Sequence, residues 1–188
     1  MQRPNYPSGK DLLSADAVSR FDLDDIIARA QRHLRAEEME KAGLPAPEGP
    51  PVPRRRPKVI ATLFDQRSTR TRLGFQAAAA RLGHQSIDAY DTDRNRIGNT
   101  TGESIEDHIR TVELYSDLLI VRSHLEDMPY RVSRLSYLPV INAGNGADEH
   151  PSQALIDLFA IRQMRGAIEK LSIALSSDTR ARFAISFA

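Results

Sequence analysis

The chain has 188 residues, 40% of them hydrophobic and 27% charged, which is enough for one α/β domain with its own core and part of a second, but not for two. With 26 basic residues against 25 acidic ones the net charge is +1, so neither nucleic acid nor a membrane surface is an expected partner and any anion site must be local. Zero cysteines exclude disulfides, thiolate metal sites and cysteine nucleophiles. Met1–Lys10 has no apolar signal-peptide core and no run approaches a membrane span, so a cytoplasmic location is expected.

In chain order, Phe21, Leu23, Ile26, Ile27, Ala30 and Leu34 recur at helical spacing behind Asp22, Asp24 and Asp25, which predicts a first helix with one face on the domain. The proline-rich stretch from Glu37 to Pro57 reads as an exposed connection. Its Arg54-Arg55-Arg56 run is either a phosphate or nucleic-acid contact or, as charge runs beside prolines usually are, a solvated one. From Lys58 short apolar runs alternate with helical periodicity, the pattern of βαβ units on a parallel sheet. Val59–Phe64 is the first predicted strand, followed by a helix from about Thr71 to Leu82. Ser86–Tyr90 is a weaker strand, followed by a polar loop and a helix from Ser104 to Tyr115. Leu118–Val121 and Pro139–Asn142 are the third and fourth strands with a helix between them, and a helix from Ser152 to Arg165 follows. Leu171–Leu175 is expected to begin a fifth strand, and Thr179–Ala188 reads as the start of another helix, apolar at Phe183, Ile185 and Phe187 and without a cap. Residues 1–57 therefore read as an N-terminal segment, 58–175 as an α/β domain, and 176–188 as the start of a further region.

Ligands of open parallel sheets bind outside the carboxyl ends of the strands, where the following helices direct their N-termini. After the first strand come Asp65, Gln66 and Arg67, then Ser68-Thr69-Arg70-Thr71-Arg72 leading into a helix. Hydroxyls, guanidinium forks and helix N–H groups together are what a phosphate-like dianion needs. There is no glycine-rich phosphate loop. The third strand leads into Arg122, and the fourth leads through a loop at Ala143-Gly144-Asn145-Gly146 to His150-Pro151-Ser152-Gln153 at another helix start. Taken singly, these residues have ordinary explanations as N-caps and surface charges. Their shared edge is what points to a site.

At these positions the chain resembles the aspartate/ornithine carbamoyltransferase family. Ser68–Arg72 is similar to its carbamoyl-phosphate signature, and His150-Pro151-Ser152-Gln153-Ala154-Leu155-Ile156-Asp157-Leu158 to its second motif. Gly102-Glu103-Ser104, Arg122 and Leu12-Leu13-Ser14 stand where the family has equivalents. The resemblance implies a three-layer α/β sandwich of the carbamoyltransferase N-terminal type. It implies transfer of a carbamoyl group from carbamoyl phosphate to an amino-acid amine, aspartate first, without metal or organic cofactor. Ser68, Thr69, Arg70 and Thr71 would hold the phosphate. Arg122 and His150, with Thr71, would donate to the carbamoyl oxygen, and Gln153 would orient the carbamoyl amide. Arg182, or else Arg180, would meet the acceptor's carboxylate, although the spacing after Asp178 is one residue short of the family's.

The loop in which aspartate-type members carry a serine and a lysine has Arg96 and Thr101 here. A replacement by Arg96, a different alignment of the loop and a different acceptor, such as ornithine, all fit this difference. A homotrimer with shared sites, in pyrimidine biosynthesis and able to carry a regulatory subunit, is implied, as is an acceptor domain beyond this chain. A free-standing carbamoyl-phosphate-binding or regulatory module is the competing expectation, and a generic anion-binding domain a third.

Overall fold

The computed structural model describes residues 11–45, 56–89, 103–169 and 171–173. After a 3-10 turn at Ala15–Ala17, helix α1 spans Arg20–Lys41. Ser19 caps it, its side chain accepting from the Asp22 N–H at 3.1 Å, with Asp22 in the first turn and Lys41 in the last as the helix dipole favours. Gly43, at φ +67°, ends it: its N–H reaches Glu40 O (3.0 Å) and the Leu44 N–H reaches Met39 O (2.9 Å), a Schellman motif. The helix thus runs into the stretch expected to be irregular. Prolines begin only at Pro45, and Lys41 pairs with Glu37 one turn back at 2.8 Å. Its packing face is narrow, because Ile27 is buried while Phe21 is 82% exposed. Ion pairs fix both ends, Arg20 to Glu169 and Glu37 to Arg81.

Four strands, β1 (Val59–Phe64), β2 (Gln85–Asp88), β3 (Leu118–Ser123) and β4 (Val140–Asn145), form a parallel sheet in the order β2-β1-β3-β4. The connecting helices are α2 (Thr69–Arg81), α3 (Ile105–Glu113) and α4 (Met128–Leu135), and α5 (Pro151–Arg165) follows β4. Alternation along the strands divides the core by face. Ala61, Leu63, Leu119, Val121 and Val140 pack with Ile109 and Val112 of α3 and Met128 and Val132 of α4. On the opposite face Ile60, Phe64, Ile120 and Ala143 meet Ala79 and Phe75 of α2. The result is the expected three-layer α/β sandwich. The chain order reverses between β1 and β3, so the crevice at a topological switch point lies above their carboxyl ends.

Two expectations need correction. Leu171–Ile173, where a fifth strand is expected to begin, are in no strand and are exposed, while Ala174 and Leu175 lie outside the described residues. The outer edge of β4 is instead taken by the segment before α1: Leu12 bridges Ile141 in parallel, its N–H reaching Val140 O while its carbonyl accepts from Asn142 N, both at 2.8 Å. Ala143-Gly144-Asn145, expected as loop, belongs to β4 because a register shift between Val121 and Ser123 absorbs the extra residue, with Gly144 at φ +111°. The predicted helix at Thr179–Ala188 lies outside the described residues, as do Arg54 and Arg55.

Candidate functional site

The first βα turn departs from the charge pattern of α1 and α3. Helices α1 and α3 begin with acidic residues, Asp22 and then Glu106 with Asp107. Helix α2 has no acid in its first turn and carries Arg70 and Arg72 there instead. Cations at the positive end of a helix dipole are unfavourable by about a few tenths of a kcal/mol each, a cost that a bound anion reverses. Ser68 caps α2: its Oγ accepts from the Thr71 N–H at 3.4 Å and donates to Thr71 Oγ1 at 2.9 Å. Arg72 turns away to Asp88, 3.3 Å distant, whereas Arg70 is exposed and has no ion pair among the described residues.

Arg122 arrives on β3 and is only 5% exposed. The irregularity in β4 presents Ala143 O, which accepts from Arg122 Nη1 at 2.8 Å. The same Nη1 lies 3.4 Å from His150 Nε2, and because a guanidinium only donates, Nε2 is the acceptor. That assigns the ring proton to Nδ1, which faces Ser152 Oγ at 3.2 Å. Pro151 opens α5 immediately behind the histidine, and the His150 carbonyl accepts from Gln153 and Ala154. Gln153 Nε2 donates to Asp157 Oδ1 at 2.9 Å. The turn that delivers His150 is fixed by buried amides. Asn142 Nδ2 donates to Asn145 Oδ1 (2.9 Å), Asn145 Nδ2 donates to Asp148 (2.9 Å), and Glu149 accepts from Ala15 N–H (2.8 Å). Nearby Tyr130 has its phenol pushed up, first by burial and then by Glu149, Asp148 and Asp16.

These elements surround one cavity of about 740 Å³, lined by Ser68, Arg70, Thr71, Arg122, His150 and Gln153 among others. Six of the predicted residues are therefore together at the switch-point edge. Thr69 stands in α2 beside them but does not line the cavity. Arg96, Thr101, Arg180 and Arg182 lie outside the described residues. The cavity continues along an apolar side between Phe75 and Ala78 of α2 and Leu155 and Ile156 of α5, over Ile141. Sequence reasoning assigns no role to Ser152, Asp157, Asp65 or Ser123, which orient the others. Their signal is position alone, within three residues of a site residue or one turn along its helix. No group of three or more His, Asp or Glu able to hold a metal occurs among the described residues.

Residues 10–163 match the sequence pattern of the aspartate/ornithine carbamoyltransferase carbamoyl-phosphate-binding domain. The aspartate carbamoyltransferase catalytic subunit of Thermococcus gammatolerans is 37% identical over 92% of this chain and 53% of its own length. That of Thermofilum pendens is 36% identical over 98% of this chain and 55% of its own length. The crystal structure of aspartate transcarbamoylase from Trypanosoma cruzi in complex with carbamoyl phosphate and aspartate superposes with a TM-score of 0.79 at 31% identity, covering 96% of this chain and 55% of that one. The chain spans about half the length of these relatives. With its two motifs folded onto one edge of a sheet of the same architecture, the chain belongs to the aspartate/ornithine carbamoyltransferase family.

Proposed function

We propose that the protein acts in carbamoyl transfer from carbamoyl phosphate to an amino-acid amine, with aspartate as acceptor. The observation that carries this reading is the meeting of the cationic N-terminus of α2 with Arg122 and His150 in one cavity. Ser68, Arg70 and Thr71, with the first N–H groups of α2, bind the phosphate, and Thr69 adds its backbone at the first turn. The amine attacks the carbamoyl carbon, the carbonyl oxygen takes up negative charge in a tetrahedral intermediate, and the C–O bond to phosphate breaks as the carbonyl reforms. The amine's proton leaves with the solvent or the departing phosphate. Arg122 and Thr71 donate to the developing oxyanion, and one such preorganised donor is worth about 3 kcal/mol of barrier. At rest His150 accepts from Arg122 at Nε2, the 3.4 Å contact that orients the guanidinium, and a shift of its ring proton from Nδ1 to Nε2 releases that contact and lets it donate to the oxyanion. Gln153 aligns the carbamoyl amide, and Arg182 meets the acceptor's carboxylate. Carbamoyl phosphate is already activated, so positioning supplies most of the rate.

The same reading carries a cytoplasmic enzyme of pyrimidine biosynthesis, working as a homotrimer with shared sites and able to take a regulatory subunit. Among the described residues no helix is long and apolar enough to cross a membrane. The residues gathered round the cavity all fall within or beside the stretch that matches a carbamoyl-phosphate-binding domain, which supports a second reading, a free-standing carbamoyl-phosphate-binding module. Labelled carbamoyl phosphate offered with aspartate and, separately, with ornithine decides between them. Carbamoyl-aspartate supports the first reading, and citrulline alone changes the acceptor. Binding without transfer supports the module, and no binding removes both.

A further inference from the structure

Asp65 is buried, with a side chain only 2% exposed, at a point where the mechanism above gives it no task. It follows Phe64, the residue in register with Arg122, and precedes by three residues the Ser68 that caps the anion-binding helix. Its own N–H donates to Arg122 O at 3.1 Å. Its carboxylate accepts from Ser123 Oγ (2.8 Å) and from His124 N–H (3.0 Å), with His124 Nδ1 at 3.3 Å. Ser123 Oγ in turn accepts from Leu125 N–H at 3.0 Å. One carboxylate therefore gathers the donors of the turn directly after Arg122. From the other side the turn is held by uncharged groups, Gly146 N–H to Ser123 O at 2.8 Å and Asn145 Nδ2 to Glu126 O at 2.5 Å.

A buried carboxylate is costly unless its lone pairs are filled, and here every named donor comes from the strand end that carries Arg122. The phosphate-holding turn after β1 and the carbonyl-directed arginine on β3 are separate in sequence; the strand ladder joins them as far as Phe64 and Arg122, and past its end the Asp65 carboxylate continues the link to Ser123 and His124. We propose that Asp65 is a positioning residue that fixes Arg122 relative to the phosphate-holding turn Ser68–Thr71. The inference rests on the carbamoyl-phosphate reading of the site.

A structural prop and a positioning residue differ in what they do to two ligands. Inorganic phosphate uses the α2 turn alone, whereas carbamoyl phosphate also uses Arg122. Dissociation constants for both anions are measured by calorimetry on the full chain, on Asp65→Ala and on Ser123→Ala, the second removing a single donor in case the first does not fold. The expected result is a loss of about tenfold in affinity for carbamoyl phosphate, with affinity for inorganic phosphate unchanged and a smaller loss in the same sense for Ser123→Ala. Equal losses for both anions, or no loss in either variant, overturn the positioning role. A wild-type chain that binds neither anion overturns the carbamoyl-phosphate reading itself and this inference with it.

Discussion

Arg70 opposes the dipole of its own helix, and that conflict can be measured. In phosphate-free buffer Arg70→Ala removes an exposed cation from the N-terminus of α2 and is expected to leave the fold as stable or to add about a few tenths of a kcal/mol. With phosphate present the wild type is expected to gain stability by mass action, and the variant to gain less. Thermal melts across a phosphate series read both effects, and a variant stabilised by phosphate as much as wild type would contradict the assignment. Arg122→Ala removes the guanidinium that, on the proposed reading, donates to the carbamoyl oxygen, and transfer should slow by about 10²- to 10³-fold, as steady-state kinetics would show. Asp117 lies at the opposite, amino edge of the sheet and serves as a control. Its carboxyl is held below the ordinary aspartate range, first by the Val59 N–H at 2.9 Å and then by Lys58, against the effect of burial. A lowered carboxyl pKa contributes stability that is present above the unfolded value and lost as pH falls through the folded one. Asp117→Asn should therefore be less stable than wild type at neutral pH, and the gap should close on acidification below the ordinary aspartate range. Anion binding at neutral pH should not change.

At the scale of elements, the turns hold the carboxyl edge of the sheet together, and Gly146 sits in one with no room for a side chain. Its φ of +52° is strained for any residue with a side chain, and an added Cβ would stand 2.7 Å from Glu126 Cγ and 3.0 Å from the backbone oxygen of His124. Gly146→Ala is expected to cost about 2 kcal/mol and to loosen the turn after Arg122, which denaturant melts and phosphate titration would register. The helices and strands themselves are legible in sequence. Val59–Phe64 can be placed to the residue because it is an apolar run, broken only by Thr62, that ends at a charge, as suits a strand buried on both faces. Ser104 announces α3 as a serine cap three residues before Asp107. The continuation of β4 through Ala143-Gly144 is not legible, because a bulge leaves only a glycine in a strand, which equally signals a loop. Over Leu171–Ile173 the expected fifth strand is not formed, and the outer edge of β4 is taken by Leu12, 129 residues before Ile141, a pairing that no local pattern announces.

For the whole molecule, the sheet order β2-β1-β3-β4 brings residues from three separate strand ends to one edge. Apolar runs mark the strands, and the rule that ligands gather at carboxyl ends marks the site, so Ser68, Arg70, Thr71, Arg122, His150 and Gln153 can be named without any geometry. The arrangement behind them is not in the pattern. Asp65 meets Ser123 across 58 residues, and Arg122 meets His150 across 28, contacts that no local periodicity encodes. The partial covering of the sheet is also a whole-molecule property: Phe75, Ala78, Leu155 and Ile156 leave an apolar side to the cavity that no single helix pattern reveals.

On the proposed reading, the edge where β1 and β3 part is a carbamoyl-phosphate site. Its most direct test is a titration of isotope-labelled protein with carbamoyl phosphate, followed by two-dimensional NMR of backbone amides and arginine side chains. The largest shifts are expected on the amides of Ser68–Arg72 and on the Arg122 guanidinium, with Asp117 and the amino edge unmoved. Saturable shifts centred elsewhere, or none at all, would contradict it.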